Sequence, residues 1–593
     1  MSKVDPDFGA LPEWDLGDLY AGTDDPKLAS DLDRGEADAR AFHQRWAGRL
    51  AESSGAELGE AIAAYERLSE TFNRVMSYAQ LVYSSNVSDP ACGRFYQGMQ
   101  ERVTDIGVNT LFFTLELNRL DDAALAEKLK HPATARYAPW LRDLRQFRDH
   151  QLPDEIERLL HEKEVAGRSA WNRLFDESMA GLRFPLDGKD LTSAEVLHLL
   201  SDTDGATRKK AAKAFGAVLG ANARLFALIT NTLVKDKEIE DKWRNYPRPT
   251  SYRNLSNQVE DEVVDALVSA VRGAYGQLAH RYYGMKARWF GVDKLDYWDR
   301  NAPLPEDTDR HYRWDEARDL VLGAYGRFSP ELADLGKRFF DKSWIDAPVR
   351  PGKSPGAFAH PTVPSAHPYL LVNFMGKSRD VMTLAHELGH GVHQLLAAGQ
   401  GQLMADTPLT LAETASVFGE MLTFNAMLDA ETDPGRRRVL LAGKVEDMLN
   451  TVVRQIAFYE FERRVHDERR TGELPAERLG ELWMDVQRES LGPVFRFDEE
   501  YRHYWAYIPH FVHTPFYVYA YAFGDCLVNS LYDVYRHGAP GFEGKYLDML
   551  RAGGTMRHKE LLAPFGLDAG DPAFWRRGLD IVVGYIDQLE RVA

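Results

Sequence analysis

Cysteine is close to absent: Cys92 and Cys526 are the only two in 593 residues. Two thiols cannot build a disulfide framework, nor a zinc site made of several thiolates. An excess of positive charge is also missing. The formal net charge is −18, which argues against nucleic acid as a partner, because phosphate binding needs a basic surface. No run of about 18 apolar residues is available to cross a membrane. Residues 1–9 lack the apolar core of a secretory signal. Repeats and low-complexity tracts are not found either. Together these absences predict a cytoplasmic protein with neither nucleic acid nor membrane as partner. What the chain does have is core material: 44% of its residues are hydrophobic, so a large packed interior is expected and global disorder is not.

Most of that material is arranged at helical steps. Ile62, Tyr65, Leu68, Phe72 and Val75 predict a long helix that stops at Ser88-Asp89-Pro90. Val103, Ile106, Leu111 and Leu115 predict a second one. Shorter helices follow around 138–148, 153–166 and 169–180, the last with Trp171, Leu174 and Phe175 as core residues. Residues 182–191, centred on Asp187-Gly188, read as a hairpin. Thr192 and Glu195 then form a capping box, and after the turn at 202–205 one helical pattern runs through Lys242. A domain boundary is expected at this turn, dividing an N-terminal helical domain, 1–205, from a catalytic one, 206–593. Residues 243–256, 291–310 and 341–366 are irregular, and Pro368 to Phe374 is the clearest strand. The fold class is therefore mainly α.

Chemistry is concentrated in the helical run 383–396. It contains His386, Glu387 and His390, a His-Glu-x-x-His pattern. Histidines four apart share a helix face, so both imidazoles can reach one zinc ion at about 2.0–2.1 Å. Glu387 can then act as general base on a zinc-bound water. A catalytic zinc needs a third protein ligand. Glu413 and Glu420, seven apart on a helix whose neighbours Leu409, Leu411, Val417, Phe418 and Met421 are apolar, are both candidates. Whichever is not the ligand can partner a ligating histidine. His393 is expected to stand outside the ligand set, because three histidines of one helix rarely converge on one tetrahedral ion. A second dense stretch, 504–524, puts His510 and His513 before Tyr517 and Tyr521, which are read as sharing one helical face. A purely apolar core would not hold so many groups that need hydrogen-bond partners. A phenol near the metal can stabilise an oxyanion.

These residues lie within a longer set of motifs: Leu-Pro-Glu-Trp-Asp-Leu-Gly-Asp-Leu-Tyr (11–20), Trp-Ile-Asp-Ala (344–347), Gly-Lys-Ser-Pro-Gly-Ala-Phe (352–358) and His-Pro-Tyr-Leu-Leu-Val-Asn-Phe (367–374). To them are added Glu-Thr-Ala-Ser (413–416), Ile-Pro-His-Phe (508–511) and Pro-Phe-Tyr-Val-Tyr-Ala-Tyr (515–521). Over nearly its whole length the chain resembles the oligoendopeptidase F branch of the thimet oligopeptidase family of zinc peptidases. The resemblance implies one Zn²⁺ held by His386, His390 and Glu413, with Glu387 as the base. Oxyanion and substrate contacts fall on His510, Tyr517 and Tyr521, with His513 the alternative to His510. It further implies a helical, bowl- or clam-shaped zinc peptidase with a small sheet beside the metal, acting on short unstructured oligopeptides. Arg557-His558-Lys559 departs from the family, which would have a proline-containing stretch there. Residues 368–374 are expected to pair with the substrate backbone as an added strand. Two other readings are a zinc carboxypeptidase, with Arg253 or Arg350 holding the terminal carboxylate, and a non-catalytic peptide-binding scaffold.

Overall fold

The computed structural model describes residues 8–164, 166–304 and 311–592. The chain is mainly helical, with a few short strands in small sheets. It divides into two compact units, each assembled from separated stretches. The first comprises Met1–Arg148, Asp309–Ala430 and Val534–Gly566; the second comprises Asp149–Thr308, Glu431–Asp533 and Leu567–Ala593. Residue 205 lies inside the second unit, where Asp204 caps the helix Gly205–Ala221 by accepting from the Ala206 and Thr207 amides. The polar cluster at 202–205 is thus a helix start.

In the first unit the helix Gly55–Ser85 opens with the Ser54/Glu57 capping box and buries Ile62, Leu68, Phe72 and Val75. It ends before Asp89, which caps the next helix at Pro90. The second predicted helix is broken in two, Pro90–Gly107 and Leu111–Arg119. Asn109 and Thr110 donate from their side chains to the carbonyls of Ile106 and Gly107, which competes with the helical ladder. Leu111, expected in the core, is accordingly 61% exposed.

Three short strands precede the motif helix Ser378–Ala397: β1 (Ile345–Asp346), β2 (Phe358–His360) and β3 (Tyr369–Leu371). Their order is β1-β3-β2, with β3 parallel to β1 and antiparallel to β2. The strand expected at 368–374 therefore exists, but it is the middle one. Its backbone is engaged on both sides, so it cannot take a substrate as an added strand; β2 carries an open edge. The turn between β1 and β2 is fastened by Lys353, whose ammonium donates to the Asp346 carboxylate and to the carbonyls of Asp346, Pro348 and Val372. Asp346 is fully buried and also takes both ends of the Arg350 guanidinium, at 2.8 and 2.6 Å. Each buried charge here has a partner, as burial requires.

In the second unit, Phe184–Leu186 and Lys189–Leu191 form the expected hairpin, with φ of 48° at Asp187 and 81° at Gly188. The Thr192/Glu195 box caps the helix that follows. The long pattern to Lys242 is two helices, Gly205–Ala221 and Ala223–Trp243, bent by 63° at Asn222. The Asn222 side-chain amide donates back to the Val218 carbonyl. No single helix among the described residues is long and apolar enough to cross a membrane; only this bent pair, taken together, has the length and composition of a broken span. Of the aromatic-rich helix near 170, only Phe175 is a core residue; Leu174 is 39% exposed. A further strand pair joins Leu295–Asp296 to Phe495–Arg496. Residues 305–310 of the expected irregular stretch lie outside the described residues.

Candidate metal centre

The motif helix starts where the Asp380 carboxylate accepts from the Met375 and Lys377 amides, placing negative charge at the positive end of the dipole. It packs on the helix Leu409–Ala430, which is buried on nearly all sides. Leu409, at its start, is 40% exposed. An apolar helix of this kind holds a carboxylate only where something pairs with it.

Glu413 is where that pairing occurs. Its Oε2 lies 3.3 Å from His386 Nε2 and 3.5 Å from His390 Nε2. One donor atom from each of His386, His390 and Glu413 falls within 4.8 Å of the others. Glu420 lies behind this group, with Oε2 3.4 Å from His386 Nδ1. That contact leaves Nε2 of His386 as the nitrogen able to face a metal, as when a carboxylate backs a histidine ligand. The two glutamates that spacing alone could not rank are thus separated: one sits against both Nε2 atoms and the other against a single Nδ1. Two imidazoles and a carboxylate form a donor set that suits zinc with a coordination position left over. The residues fit the ion.

Glu387 faces the same region, is 7% exposed, and accepts a hydrogen bond from the Ala359 amide of β2. Burial, reinforced by Glu413, pushes its carboxyl up to about 7, against the opposing effects of His386 and the Ala359 amide. Burial pulls the two histidines down. At His386 the surrounding carboxylates, Glu420 first, outweigh it and raise the imidazole to about 9, whereas His390 is left low. His393 is buried and forms no part of the three-residue group.

In the second unit, His510 Nε2 lies 3.3 Å from the Tyr521 hydroxyl, and the Tyr517 and Tyr521 rings are 5.2 Å apart. His513 turns instead to Asp176, 2.8 Å away. Tyr517 is not on the helix, which begins at Tyr519; it lies in the preceding turn, where Phe516 has φ of 60°. A bulky residue in this region is strained unless it is held. The buried Glu462 carboxylate accepts from the Phe516 amide at 2.9 Å, and Arg253 donates to the Pro515 carbonyl at 3.3 Å. Sequence reading passed over Glu462 and assigned Arg253 a different role. The available signal was a glutamate whose neighbours one turn away on the helix, Phe458 and Val465, are apolar.

Burial raises the Glu462 carboxyl to about 8, with the Phe516 amide, Arg253 and Lys237 opposing. An acid whose folded value lies above its unfolded value of about 4.3 binds its proton more tightly when folded. Its contribution is thus lost as pH climbs from about 4.3 towards 8. We expect Glu462→Gln, which keeps an oxygen for the Phe516 amide, to match wild type near pH 5 and to be more stable by up to a few kcal/mol near pH 8. Chemical denaturation at the two pH values checks this; equal differences at both would contradict it.

Of the cations considered for a terminal carboxylate, Arg350 is committed to Asp346 and Arg253 bonds the Pro515 carbonyl.

Known proteins resemble the chain over most of its length. A family model described as peptidase family M3 matches residues 198–581, and one described as oligopeptidase F matches residues 116–184. The chain is 26% identical over 563 residues to the oligopeptidase PepF of Bacillus subtilis, covering 92% of this chain and 82% of that protein. It is 25% identical over 574 residues to the group B oligopeptidase PepB of Streptococcus agalactiae, covering 94% and 93%. Among solved structures, one from Chlamydophila abortus superposes with a TM-score of 0.85 at 22% identity, covering 98% of each chain. The oligoendopeptidase-F of Enterococcus faecium gives 0.70 at 23% identity, covering 95% of this chain and 97% of that one. At these identities the structural likeness establishes the fold.

Proposed function

Because this chain belongs to peptidase family M3, and so is a peptidase, we propose that it is a zinc-dependent endopeptidase cutting internal bonds of short, unstructured oligopeptides. The observation that carries the proposal is the convergence of His386, His390 and Glu413 beside the buried carboxylate of Glu387. His386 Nε2, His390 Nε2 and a Glu413 oxygen would hold the ion, with Glu420 fixing the His386 tautomer. When bound, zinc supplies a Lewis acid that polarises a carbonyl and acidifies water. The chain's own residues do the rest. Glu387 takes a proton from the attacking water onto its carboxylate and returns it to the departing amine nitrogen. The Ala359 amide keeps that carboxylate aimed while it is charged. On the outer edge of β2 the Ala359 amide is given to Glu387, which leaves the Ala359 carbonyl as the place for an extended peptide to add a main-chain hydrogen bond, giving affinity with little sequence choice. We assign oxyanion and substrate contacts to His510, Tyr517 and Tyr521 on the family resemblance and on their mutual clustering.

The carboxypeptidase reading loses support because the two candidate cations already have acceptors. The binding-scaffold reading has no use for a buried Glu387. Internally quenched peptides blocked at both ends test the proposal. We expect cleavage with about one zinc per chain, loss of cleavage on chelation and recovery on adding zinc back. Release of C-terminal residues from unblocked peptides only, or full activity after chelation, would reject it.

A further inference from the structure

The face of the motif helix that carries the histidines continues past them. His386, His390 and Gln394 follow at four-residue steps, so Gln394 shares their side of the helix about 6 Å further along its axis. There it enters a cavity of about 340 Å³. The walls come from the motif helix, from the helix Gly55–Ser85, from the segment 360–368 that follows β2, and from residues 402–406. Everything lining it belongs to the first unit. None of the chemistry proposed above uses it.

Two properties of this cavity bear on what it could hold. Three buried polar atoms around it have no hydrogen-bond partner: Gln394 Oε1, Gln402 Oε1 and His360 Nε2. Native interiors leave few such atoms, and each one is a cost that a bound group can remove. The lining residues also include the Asp406 carboxyl but no lysine or arginine, so the walls offer a carboxylate and no permanent cation. His360 follows Ala359, whose amide holds Glu387, and burial keeps its imidazole neutral, near 4. The cavity is thus adjacent to the catalytic base through β2 and to the metal ligands through the motif helix. Its volume is many times the roughly 30 Å³ that one water takes up in the liquid.

We propose that this cavity is a side-chain subsite that receives, from a peptide lying along β2, a residue whose side chain donates N–H hydrogen bonds: glutamine, asparagine, lysine or arginine. At about 3.3 Å per extended residue, a 6 Å offset places that side chain within about three residues of the cleaved bond. The proposal rests on the peptidase reading above for the peptide's position, but binding tests it separately from cleavage.

The experiment uses full-length protein carrying Glu387→Gln, so that peptides bind without turnover, alone and with Gln394→Leu or Gln402→Leu added. The ligands are alanine-rich peptides with a single glutamine, or a single lysine, moved through successive positions; leucine and norleucine peptides serve as controls. We expect one position at which the N–H-bearing side chain tightens binding about tenfold over its apolar control. Either leucine substitution should remove that preference. Folding stability should be unchanged or higher, because an unpartnered buried oxygen is replaced by an apolar group of similar shape. In the Glu387-intact enzyme the same variants should raise KM for the preferred peptides and leave kcat within about twofold. If no position shows a preference, or the preference survives in both leucine variants, the cavity holds only water and the proposal is wrong. Preferential binding without cleavage of blocked peptides by the Glu387-intact enzyme would uphold the subsite and reject the endopeptidase reading.

Discussion

Glu387→Gln is expected to abolish turnover while leaving the metal in place. The carboxamide has the shape of the carboxylate and an oxygen for the Ala359 amide, so β2 and the motif helix should keep their contact. It cannot accept the proton of the attacking water, nor return it to the departing amine. General-base catalysis contributes about 10²–10⁴-fold, so kcat should fall by at least about a hundredfold, with KM nearly unchanged. Zinc content should stay near one per chain, because His386, His390 and Glu413 are untouched. Stability should not suffer, since Glu387 is buried and its charged form is disfavoured there. The measurement is kcat on an internally quenched peptide, with metal analysis of the same sample. Turnover like wild type in a zinc-loaded protein would remove Glu387 from the mechanism. Loss of turnover together with zinc would mean that the substitution disturbed the ligand helix, and Glu387→Asp, which keeps a base on a shorter arm, would then be compared for partial recovery.

Much of this site was legible in the sequence because short-range geometry determines it. A four-residue step on a helix puts His386 and His390 on one side whatever surrounds them. The proposed third ligand was not legible in that way. Glu413 and Glu420 are seven apart, two turns of the same helix, and spacing treats them alike; the resemblance favoured Glu413, and the packing of the two helices sets it against both Nε2 atoms. His510 and His513 present the same difficulty, separated only by the Asp176 contact that draws His513 away. The β2 edge escaped notice because a three-residue strand with Gly356 shortly before it has too little pattern to read. The stronger apolar run at 369–371 drew attention because it is buried on both sides, which is what a central strand looks like. Helix breaks at Asn109-Thr110 and Asn222 were hidden for a related reason. Apolar periodicity continued through them, and only side-chain bonds back to the preceding turn reveal where the ladder is interrupted. The two compact units were beyond reach, since their membership depends on stretches hundreds of residues apart.

Gly389→Ala should cost the enzyme its metal without touching a ligand. Gly389 lies between Glu387 and His390, where the backbone of the glutamate helix runs close against the motif helix. A Cβ there would lie 2.5 Å from the Ala415 carbonyl oxygen and 2.6 Å from Ser416 Cα. Both are backbone atoms, so no side-chain rotation relieves the clash, and the helices must separate. Ala415 is two residues from Glu413, which makes the Glu413 carboxylate the group that moves. Donor atoms now within 4.8 Å of one another would be spread apart, and the Ser416 hydroxyl that donates to Glu413 Oε2 at 2.7 Å would shift with them. Overpacking of this kind costs about 1–3 kcal/mol of stability, and displacing one ligand of three should weaken zinc binding by at least the 10–100-fold typical of lost outer partners. The check is zinc affinity by competition with a chelator, alongside kcat at limiting and at saturating zinc. Activity should fall steeply at limiting zinc and recover in part at saturation, the reverse of the pattern for Glu387→Gln, where added zinc restores nothing. Gly399→Ala is the control, because a Cβ at that position meets nothing within 4 Å, and it should leave both properties unchanged. If Gly389→Ala binds zinc as tightly as wild type, close helix contact is not what sets the ligand geometry, and the Glu413 carboxylate must be positioned by its own helix alone.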